Sequence, residues 1–539
     1  MQIDAIEIHN KSRLIRDYRA SEKAIMAFFD YDPFTQYQER IEDVKHRNYD
    51  RADLTNVLHG INNRWDAPRT TIDNIERLKG KNSVTVIGGQ QAGLLTGPMY
   101  TINKVISIIQ FAKQKEKELK TPVIPVFWIA GEDHDFDEIN HVFLPNQGQM
   151  EKYTHPQKVY KKQSISQMKI NQEESKEWLT VLFQQLQETA YSSVLFDTLE
   201  KCLEQSDSYV DFFARLIYQL FEEDGLVLVD SGDADLRKLE KDHFSALIKA
   251  QPEIAGSVQH SVKELGELGY SLSLDADANE GHLFYHKDDE RILLKRTSEG
   301  DWAGKQNEVL LTTEELFNIA EHHPEKLSNN VVTRPIMQEL LFPTLAFIGG
   351  PGEIAYWASL KQAFHTMNLK MPPVVPRLSF TFLDRNVERY AKKYNISYEK
   401  VVNEGVEQLK NEWLESKNNP SIRAVADSLK RQMVEAHKPL RDIAEEISSD
   451  IGDLSEKNLF YLKRNIDYLE NRMMKALKEK YEKDISEFDF INLSLYPQNN
   501  LQERIWTPLP WINLYSPAFI KELTGKSLSF ENGHYMVWI

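Results

Sequence analysis

The amino-acid sequence predicts an α/β protein with a Rossmann-like parallel sheet as its core and a C-terminal, antiparallel α-helical coiled-coil arm. Short apolar runs that end in glycines or polar residues alternate with helical segments over residues 83–385. That alternation is typical of a buried parallel sheet. Beyond residue 386, apolar residues recur in alternating steps of three and four, which is the spacing of a coiled coil.

Length and composition limit the classes of protein to consider. The 539 residues correspond to three or four units at about 150 residues per domain. Lys and Arg number 65 against 82 Asp and Glu, and the net charge of −17 argues against a nucleic-acid partner. The single cysteine, Cys202, cannot form an internal disulfide and fits a reducing compartment. No signal peptide or membrane-length apolar run is visible, so we expect a cytoplasmic protein without a membrane partner.

The changes in sequence pattern along the chain predict four segments. Residues 1–82 are predicted to form a helical layer, and residues 83–385 the catalytic core, with insertions at about 150–224 and 258–303. Residues 386–490 form the arm, and residues 491–539 pack back on the body. Within the second insertion, alternating residues predict antiparallel strands that turn at Asn279-Glu280-Gly281.

The arm is predicted to fold as a hairpin. Its apolar seam includes Leu440, Ile443 and Ile447 before a turn near Gly452-Asp453, and Leu469 and Met473 after it. An intramolecular hairpin and an arm that dimerises both explain the seam, because a coiled-coil seam needs a partner to be buried.

A glycine-rich loop follows the first core strand. Its Gly88 and Gly93 have the spacing of a phosphate-binding loop, but Leu94 and Leu95 stand where that loop carries Lys and Ser or Thr. The loop could therefore bind a small ligand, but it does not identify that ligand as a nucleotide. The alternative explanation for the glycines is tight packing between the strand and the helix. The polar residues that we predict to bind substrate here are Gln90, Gln91, Thr96, Asn103 and Lys104.

A dense group of ionisable residues follows the second core strand, in the run GEDHDFDEINH at residues 131–141. Close carboxylates and a histidine tune one another for acid–base chemistry, so we predict Asp133, His134 and Asp135 as catalytic. A solvated acidic loop is the alternative. The spacing of the residues matches no standard metal site, and no metal ligands are predicted.

A third group lies later in the core. Arg334 in NNVVTRP and Arg377 in VVPRLSF could each pair with a substrate carboxylate, although structural ion pairs explain both arginines as well. Gly349, Gly350 and Gly352 form a loop between a strand and a helix, and Glu353 lies in the first turn of that helix. We predict all of these residues to bind substrate.

Six segments taken together resemble the bacillithiol cysteine-adding enzyme family. They are GGQQAGLLTGPMYTINK, FWIAGEDHDFDEINHV, VVTRP, IGGPGEIAYWASLK, PRLSFTFLD and YPQNNLQER, in this order between positions 86 and 504. The resemblance implies a Rossmann-like core with connecting-peptide insertions, similar to class I aminoacyl-tRNA synthetases, and a coiled-coil arm that forms a homodimer.

The resemblance also implies an activity. It is the last step of bacillithiol synthesis, in which L-cysteine is joined to the amine of glucosaminyl-malate by an amide bond. No cofactor is firmly implied, but the family is associated with nucleotide binding, so ATP or ADP is a candidate. The HIGH and KMSKS motifs of class I adenylating enzymes are not recognisable in the sequence. The hypothesis of ATP-dependent adenylation therefore rests on the similarity of fold alone.

Two other functions remain open at this stage. A nucleotide-responsive coiled-coil scaffold with a relic cleft for a small acid would form no product. A nucleotidylyltransferase-like enzyme would release pyrophosphate without any amine acceptor. The ionisable run at 131–141 argues against the scaffold, since a relic has no need of it.

Overall fold

The computed structural model of the chain describes residues 1–9, 12–274 and 276–539. They divide into two units. The first comprises Met1–Asn146, Met150–Phe382 and Leu501–Ile539, and the second comprises Gln147–Gln149 and Leu383–Asn500. No described helix is both long enough and apolar enough to cross a membrane.

The strands are β1 (Gln2–Ile6), β2 (Val84–Gln90), β3 (Val123–Ile129), β4 (His141–Asn146), β5 (Gln149–Thr154), β6 (Val227–Asp230), β7 (Glu280–Lys287), β8 (Glu290–Arg296), β9 (Trp302–Gly304), β10 (Leu310–Leu311), β11 (Leu327–Asn329), β12 (Thr344–Gly349), β13 (Val374–Pro376), β14 (Phe380–Leu383) and β15 (His534–Trp538).

The helices are α1 (Arg13–Arg19), α2 (Lys23–Met26), α3 (Tyr37–Lys45), α4 (Arg51–Arg64), α5 (Arg69–Leu78), α6 (Met99–Leu119), α7 (Phe136–Ile139), α8 (Gln172–Gln185), α9 (Ser192–Glu204), α10 (Tyr209–Phe221), α11 (Ala234–Leu239), α12 (Lys241–Glu267), α13 (Thr313–His322), α14 (Thr333–Leu341), α15 (Pro351–Trp357), α16 (Lys361–Thr366), α17 (Arg385–Tyr394), α18 (Tyr398–Glu404), α19 (Glu407–Ser416), α20 (Ile422–Ile447), α21 (Ser449–Lys480), α22 (Glu482–Leu495), α23 (Gln502–Ile505), α24 (Pro508–Tyr515) and α25 (Ala518–Thr524).

A parallel sheet of five strands forms the core of the first unit, in the order β13-β12-β2-β3-β6. Between β2 and β3 the paired residues run from Val84 and Val123 to Gln90 and Ile129, and Ile129 in turn pairs with Asp230 of β6. Every residue of β3 is buried, as expected for an apolar strand in a sheet that is covered on both faces. The predicted Rossmann-like core is confirmed.

The strands β2 and β3 approach each other closely at Gly89. A Cβ atom on Gly89 would lie 2.4 Å from the backbone oxygen of Trp128. Glycine is therefore required at position 89, near the end of β2. Because it has no side chain, β2 can stay paired with β3 up to Gln90.

The second insertion forms an antiparallel sheet in the order β10-β9-β8-β7-β11. The prediction of antiparallel strands is confirmed, but two details were wrong. Residues 258–267 complete the helix α12, and the turn between β7 and β8 falls at Asp288-Asp289, both with positive φ. Asn279-Glu280-Gly281 lies at the start of β7 instead, where Gly281 faces the backbone of Leu294 on β8.

The N-terminal segment is not entirely helical as predicted, because it begins with the strand β1. This strand pairs in antiparallel fashion with β15, from Gln2 with Trp538 to Ile6 with His534. The sequence could not indicate this strand, since its partner lies at the far end of the chain.

In the second unit, α20 and α21 form the predicted antiparallel hairpin, but the turn lies at Ser448 and not near Gly452-Asp453. Gly452 lies inside α21, where a Cβ atom would lie 1.8 Å from the side chain of Glu445. The glycine therefore serves close packing of the two helices. Much of the apolar seam is exposed, including Leu440 at 60% and Ile447 at 69%.

Candidate functional site

The predicted site residues meet at the carboxyl-terminal edge of the parallel sheet. The loops after β2, β3 and β12 carry Gln91, Asp133 and Glu353, and parallel strands place the ends of these strands at one edge. This edge is where open α/β sheets bind ligands.

Lys104 is a buried cation with three acceptors. Its Nζ atom donates to Glu353 Oε2 at 2.6 Å, to the Gly89 backbone oxygen at 2.6 Å and to Gln90 Oε1 at 3.1 Å. The side chain is 2% exposed. Burial lowers the pKa of Lys104, and the carboxylate of Glu353 opposes that shift. Lys104 thus joins the end of β2 to the helix after β12, and Glu353 also accepts from the Gly350 amide at 2.7 Å.

Arg334 lies in the first turn of α14, and its guanidinium donates to the hydroxyl of Tyr356. Burial lowers the pKa of Arg334, but the phenolic oxygen and three neighbouring carboxylates outweigh it and raise the pKa. The buried Nε atom has no hydrogen-bond partner among the described residues. Arg334 therefore keeps one donor for a further acceptor.

The acidic loop is organised around Asp133. One carboxylate oxygen accepts from the side chain of Gln91 at 2.8 Å, and the other accepts from the His134 backbone amide at 2.8 Å. Asp135 occupies the N-cap position of α7 without a capping hydrogen bond from its side chain, and it is exposed. The structure thus brings Gln91, Asp133 and His134 together, with Asp135 at the outer margin.

Arg291 on β8 is a site residue that the sequence did not reveal. Its NH1 atom lies 3.4 Å from Asp133 Oδ1 and 3.3 Å from His134 Nδ1. Its remaining donors bind Ser328 Oγ at 3.1 Å and the Asn329 backbone oxygen at 2.7 Å. The inserted sheet therefore contributes directly to the site.

Asn329 was also missed. Its backbone amide donates to Glu132 Oε2 at 3.1 Å, and Glu132 is itself held by Arg237. The side-chain amide is buried, yet neither polar atom has a partner among the described residues. An unpaired buried amide costs about 1–3 kcal/mol, which a ligand or water can offset. Asn329 lies in the quoted segment NNVVTRP, five residues before Arg334, and that proximity was the available signal.

Arg377 and Asn103 both bind the carboxylate of a third residue, Glu503. Arg377 makes a two-pronged ion pair with Glu503 at 2.6 and 2.7 Å, and Asn103 donates to the same carboxylate at 2.7 Å. Burial raises the pKa of Glu503, but the Arg377 guanidinium outweighs it and holds that pKa well below its usual range. Their predicted substrate contacts stay predictions, and the structure gives both residues a role in holding Glu503.

The remaining predicted residues lie in the loops. Leu95, Thr96 and Gly97 have consecutive positive φ values of 50°, 71° and 71°, and the buried Thr96 hydroxyl has no partner among the described residues. Gly349 ends β12, Gly350 precedes α15 and Gly352 is exposed in its first turn. Among the described residues, no group of three or more His, Cys, Asp or Glu is arranged to hold a metal ion.

Two family models together match almost the whole chain. The model described as "Bacillithiol biosynthesis BshC, N-terminal Rossmann-like domain" matches residues 1–378. The model described as "Bacillithiol biosynthesis BshC, C-terminal coiled-coil domain" matches residues 380–539. The Rossmann-like model lies within the first unit apart from residues 147–149, whereas the coiled-coil model covers most of the second unit and also residues 501–539, which belong to the first.

Curated relatives match over full length. A protein of Oceanobacillus iheyensis is 41% identical over 541 residues, and one of Bacillus licheniformis is 39% identical over 538 residues. A third, from Geobacillus sp., is 37% identical over 542 residues. Each alignment covers 100% of both chains, and each relative carries the name "Putative cysteine ligase BshC".

Proposed function

The chain belongs to the BshC family of bacillithiol biosynthesis, and on that premise we propose that it joins L-cysteine to the amine of glucosaminyl-malate. This is the last step of the synthesis. A C–N bond forms between the cysteine carboxyl carbon and the glucosamine nitrogen, a C–O bond of the activated carboxyl group breaks, and the nitrogen loses a proton. The names of the full-length relatives carry the ligase assignment.

The malate end of the acceptor needs partners for two carboxylates. Arg334 has a free buried donor, and Asn329 has an unpaired amide five residues earlier in the chain. A local pair of this kind can hold an anion although the net charge of the protein is −17, because short-range hydrogen bonds outweigh a screened field. We assign the malate carboxylates to these two residues.

The acidic loop suits the cationic parts of the substrates. The amino groups of cysteine and glucosamine carry positive charge when protonated, and Asp133 and Asp135 supply carboxylates beside the sheet edge. Lys104 ties the end of β2 to Glu353 on α15. Its contribution is to fix the geometry of the edge on which both substrates meet.

We further propose that the protein works as a cytoplasmic homodimer through its arm. The exposed apolar residues of α20 and α21 support the dimer, since a hairpin alone leaves them in water. The single buried cysteine supports a reducing compartment.

The test is a mass-spectrometric assay of the purified protein with cysteine and glucosaminyl-malate, with and without ATP and Mg²⁺. Amide product that depends on ATP, together with AMP or ADP, supports a ligase and identifies the bond of ATP that is broken. Product from free cysteine without ATP means that the amide forms by direct condensation with loss of water, drawn forward by removal of product; product only from a pre-activated cysteine would mean that activation occurs elsewhere. Folded protein that gives no product under any of these conditions contradicts the assignment and favours the scaffold. Pyrophosphate release without the amine acceptor favours a nucleotidylyltransferase.

Variants tie the activity to this edge of the sheet. We expect Lys104→Ala to abolish product, while Lys113→Ala, an exposed lysine on the same helix, leaves turnover intact. We expect Asn329→Ala to raise the KM for glucosaminyl-malate about tenfold or more without a matching change for cysteine, since a lost hydrogen bond to a charged group costs about 1.5–3 kcal/mol. Unchanged turnover in folded Lys104→Ala protein would remove Lys104 from the site.

A further inference from the structure

We propose that Arg291 fixes His134 as the neutral imidazole that carries its proton on Nε2, so that His134 acts as a hydrogen-bond donor to substrate and not as a base. This inference deepens the proposed function, on which its catalytic part rests. The tautomer itself rests on geometry alone.

The guanidinium of Arg291 is held rigidly from three sides. Its central carbon lies 3.7 Å from the centre of the Phe284 ring, its Nε atom donates to Ser328 and its NH2 atom donates to the backbone of Asn329. The side chain is 6% exposed. Phe284 lies on β7 and Ser328 on β11, so the pairing of β7 with both β8 and β11 determines where NH1 points.

The NH1 atom points at the acidic loop, 3.3 Å from His134 Nδ1. A guanidinium carries donors only and has no lone pair to offer. The Asp133 carboxylate lies 3.7 Å from Nδ1, which is too far for a hydrogen bond. The Nδ1 atom must therefore accept from Arg291, which requires its lone pair to be free. A neutral imidazole with an accepting Nδ1 carries its hydrogen on Nε2.

The surrounding charges keep the ring neutral. Burial lowers the pKa of His134 first, and Arg291 and Lys162 lower it further, while Asp133 and Asp135 raise it by less. A second proton on Nδ1 would also bring two donors face to face. His134 therefore cannot take up a second proton on Nδ1 without breaking its contact with Arg291.

The Nε2 atom of His134 makes no hydrogen bond within the described chain, and the side chain is 22% exposed. A fixed N–H at this edge can donate to a carboxyl oxygen of cysteine and stabilise negative charge that develops there. Arg291 is then a positioning residue, which acts on the reaction through His134 and through its ion pair with Asp133.

The direct test is the ¹⁵N spectrum of the histidine side chains in the full-length protein, with His134 assigned by comparison with His134→Gln. We expect a protonated, pyrrole-type Nε2 signal and an unprotonated Nδ1 signal for His134 at pH 7 and above. A proton on Nδ1, or an imidazolium at pH 7, overturns the proposal. This measurement needs no substrate, so its result does not depend on whether the ligase assignment is correct.

Arg291→Met and Arg291→Lys provide the matched pair. Loss of the donor in Arg291→Met should allow both tautomers of His134 to appear, while Arg291→Lys retains a cationic donor and should retain more of the Nε2-protonated form. Unchanged His134 signals in folded Arg291→Met protein contradict the role of Arg291. Should Arg291→Met fail to fold, the wild-type spectrum still decides the tautomer.

Kinetics distinguish a donor from a base. Glutamine at position 134 can donate a hydrogen bond but cannot titrate, so we expect His134→Gln to lose no more than about tenfold in kcat and to retain the pH profile of the wild type. A general base contributes about 10²- to 10⁴-fold. A loss of that size, with the acidic limb of the profile removed, would identify His134 as the base and overturn the proposal.

Discussion

Lys104 Nζ lies 2.6 Å from Glu353 Oε2, and this buried ion pair links the helix that follows β2 to the helix that follows β12. The two residues are far apart in sequence but adjacent at the edge of the sheet, because β2 and β12 are neighbours in it. Loss of this ion pair should therefore disturb the positions of both helices at the candidate site.

Removing the carboxylate should destabilise the fold. Glu353→Gln leaves Lys104 as a buried cation without a charged partner, which costs about 3 kcal/mol or more in the free energy of unfolding. Urea unfolding measures this loss. Glu118→Gln is the control, because its exposed ion pair with Lys115 on the same helix is worth less than about 1 kcal/mol. Equal losses in the two variants would contradict the buried role of the pair.

Two glycine substitutions should act in opposite directions. Gly89→Ala places a Cβ atom 2.4 Å from the backbone of β3, and we expect a loss of at least about 3 kcal/mol because backbone cannot move aside as a side chain can. Gly60→Ala on α4 meets nothing within 4 Å and should gain about 0.5–1 kcal/mol from helix propensity. Thermal unfolding compares both with the wild type, and a tolerated Gly89→Ala would refute the close approach of β2 and β3.

Buried histidines should make the protein sensitive to acid. Burial lowers the pKa of His282 to about 4, and burial together with nearby cations lowers that of His286 to about 3. As pH falls below the ordinary value of 6.5, the unfolded chain takes up protons that the folded chain refuses. Stability is therefore lost from pH 6.5 downward, by about 1.4 kcal/mol per pH unit for each group, until its folded-state pKa is reached.

Urea unfolding at a series of pH values between 7 and 4 measures this slope. His286→Gln should reduce the slope of stability against pH by about 1.4 kcal/mol per pH unit, which is the contribution of one histidine. His260 is an exposed residue of α12, so His260→Gln should leave the slope unchanged. A wild-type slope that is flat over this range would contradict the neutral state of both buried histidines.

The arm prediction concerns assembly. Ile443→Glu combined with Ile447→Glu places charge on the exposed apolar face of α20, at side chains that are 55% and 69% exposed. We expect light scattering to give twice 62.7 kDa for the wild type and 62.7 kDa for the variant, because charges cannot be buried in an apolar seam. Lys438→Glu, on the same helix at an exposed polar position, is the control. A wild-type protein of 62.7 kDa would refute the homodimer.

The sequence was sufficient for the parallel sheet and the half of the site that depends on it. Gln91, Asp133 and Glu353 each follow a strand directly, so the rule that parallel strands end at one edge was enough to group them. Lys104 could be placed with them because it lies in the second turn of the next helix, although its partner Glu353 could not be identified from spacing.

The other half of the site depends on pairing that the sequence does not determine. Arg291 reaches His134 only because β8 pairs with β7 in one register, with Arg291 opposite His286. A shift of one residue would turn Arg291 to the other face of the sheet. Similarly, the link between Arg377 and Glu503 joins residues that are 126 positions apart, and only the folded chain reveals it.

The pairing of β1 with β15 determines when this sheet can form during synthesis of the chain. The ribosome makes β1 first, and at about 5–20 residues per second roughly half a minute to two minutes pass before His534–Trp538 emerges. Throughout that time the edge of β1 has no partner from its own chain, and unpaired edges invite association with other nascent chains. This sheet therefore closes only after β15 has been synthesised, and the edge of β1 stays available to other chains until then.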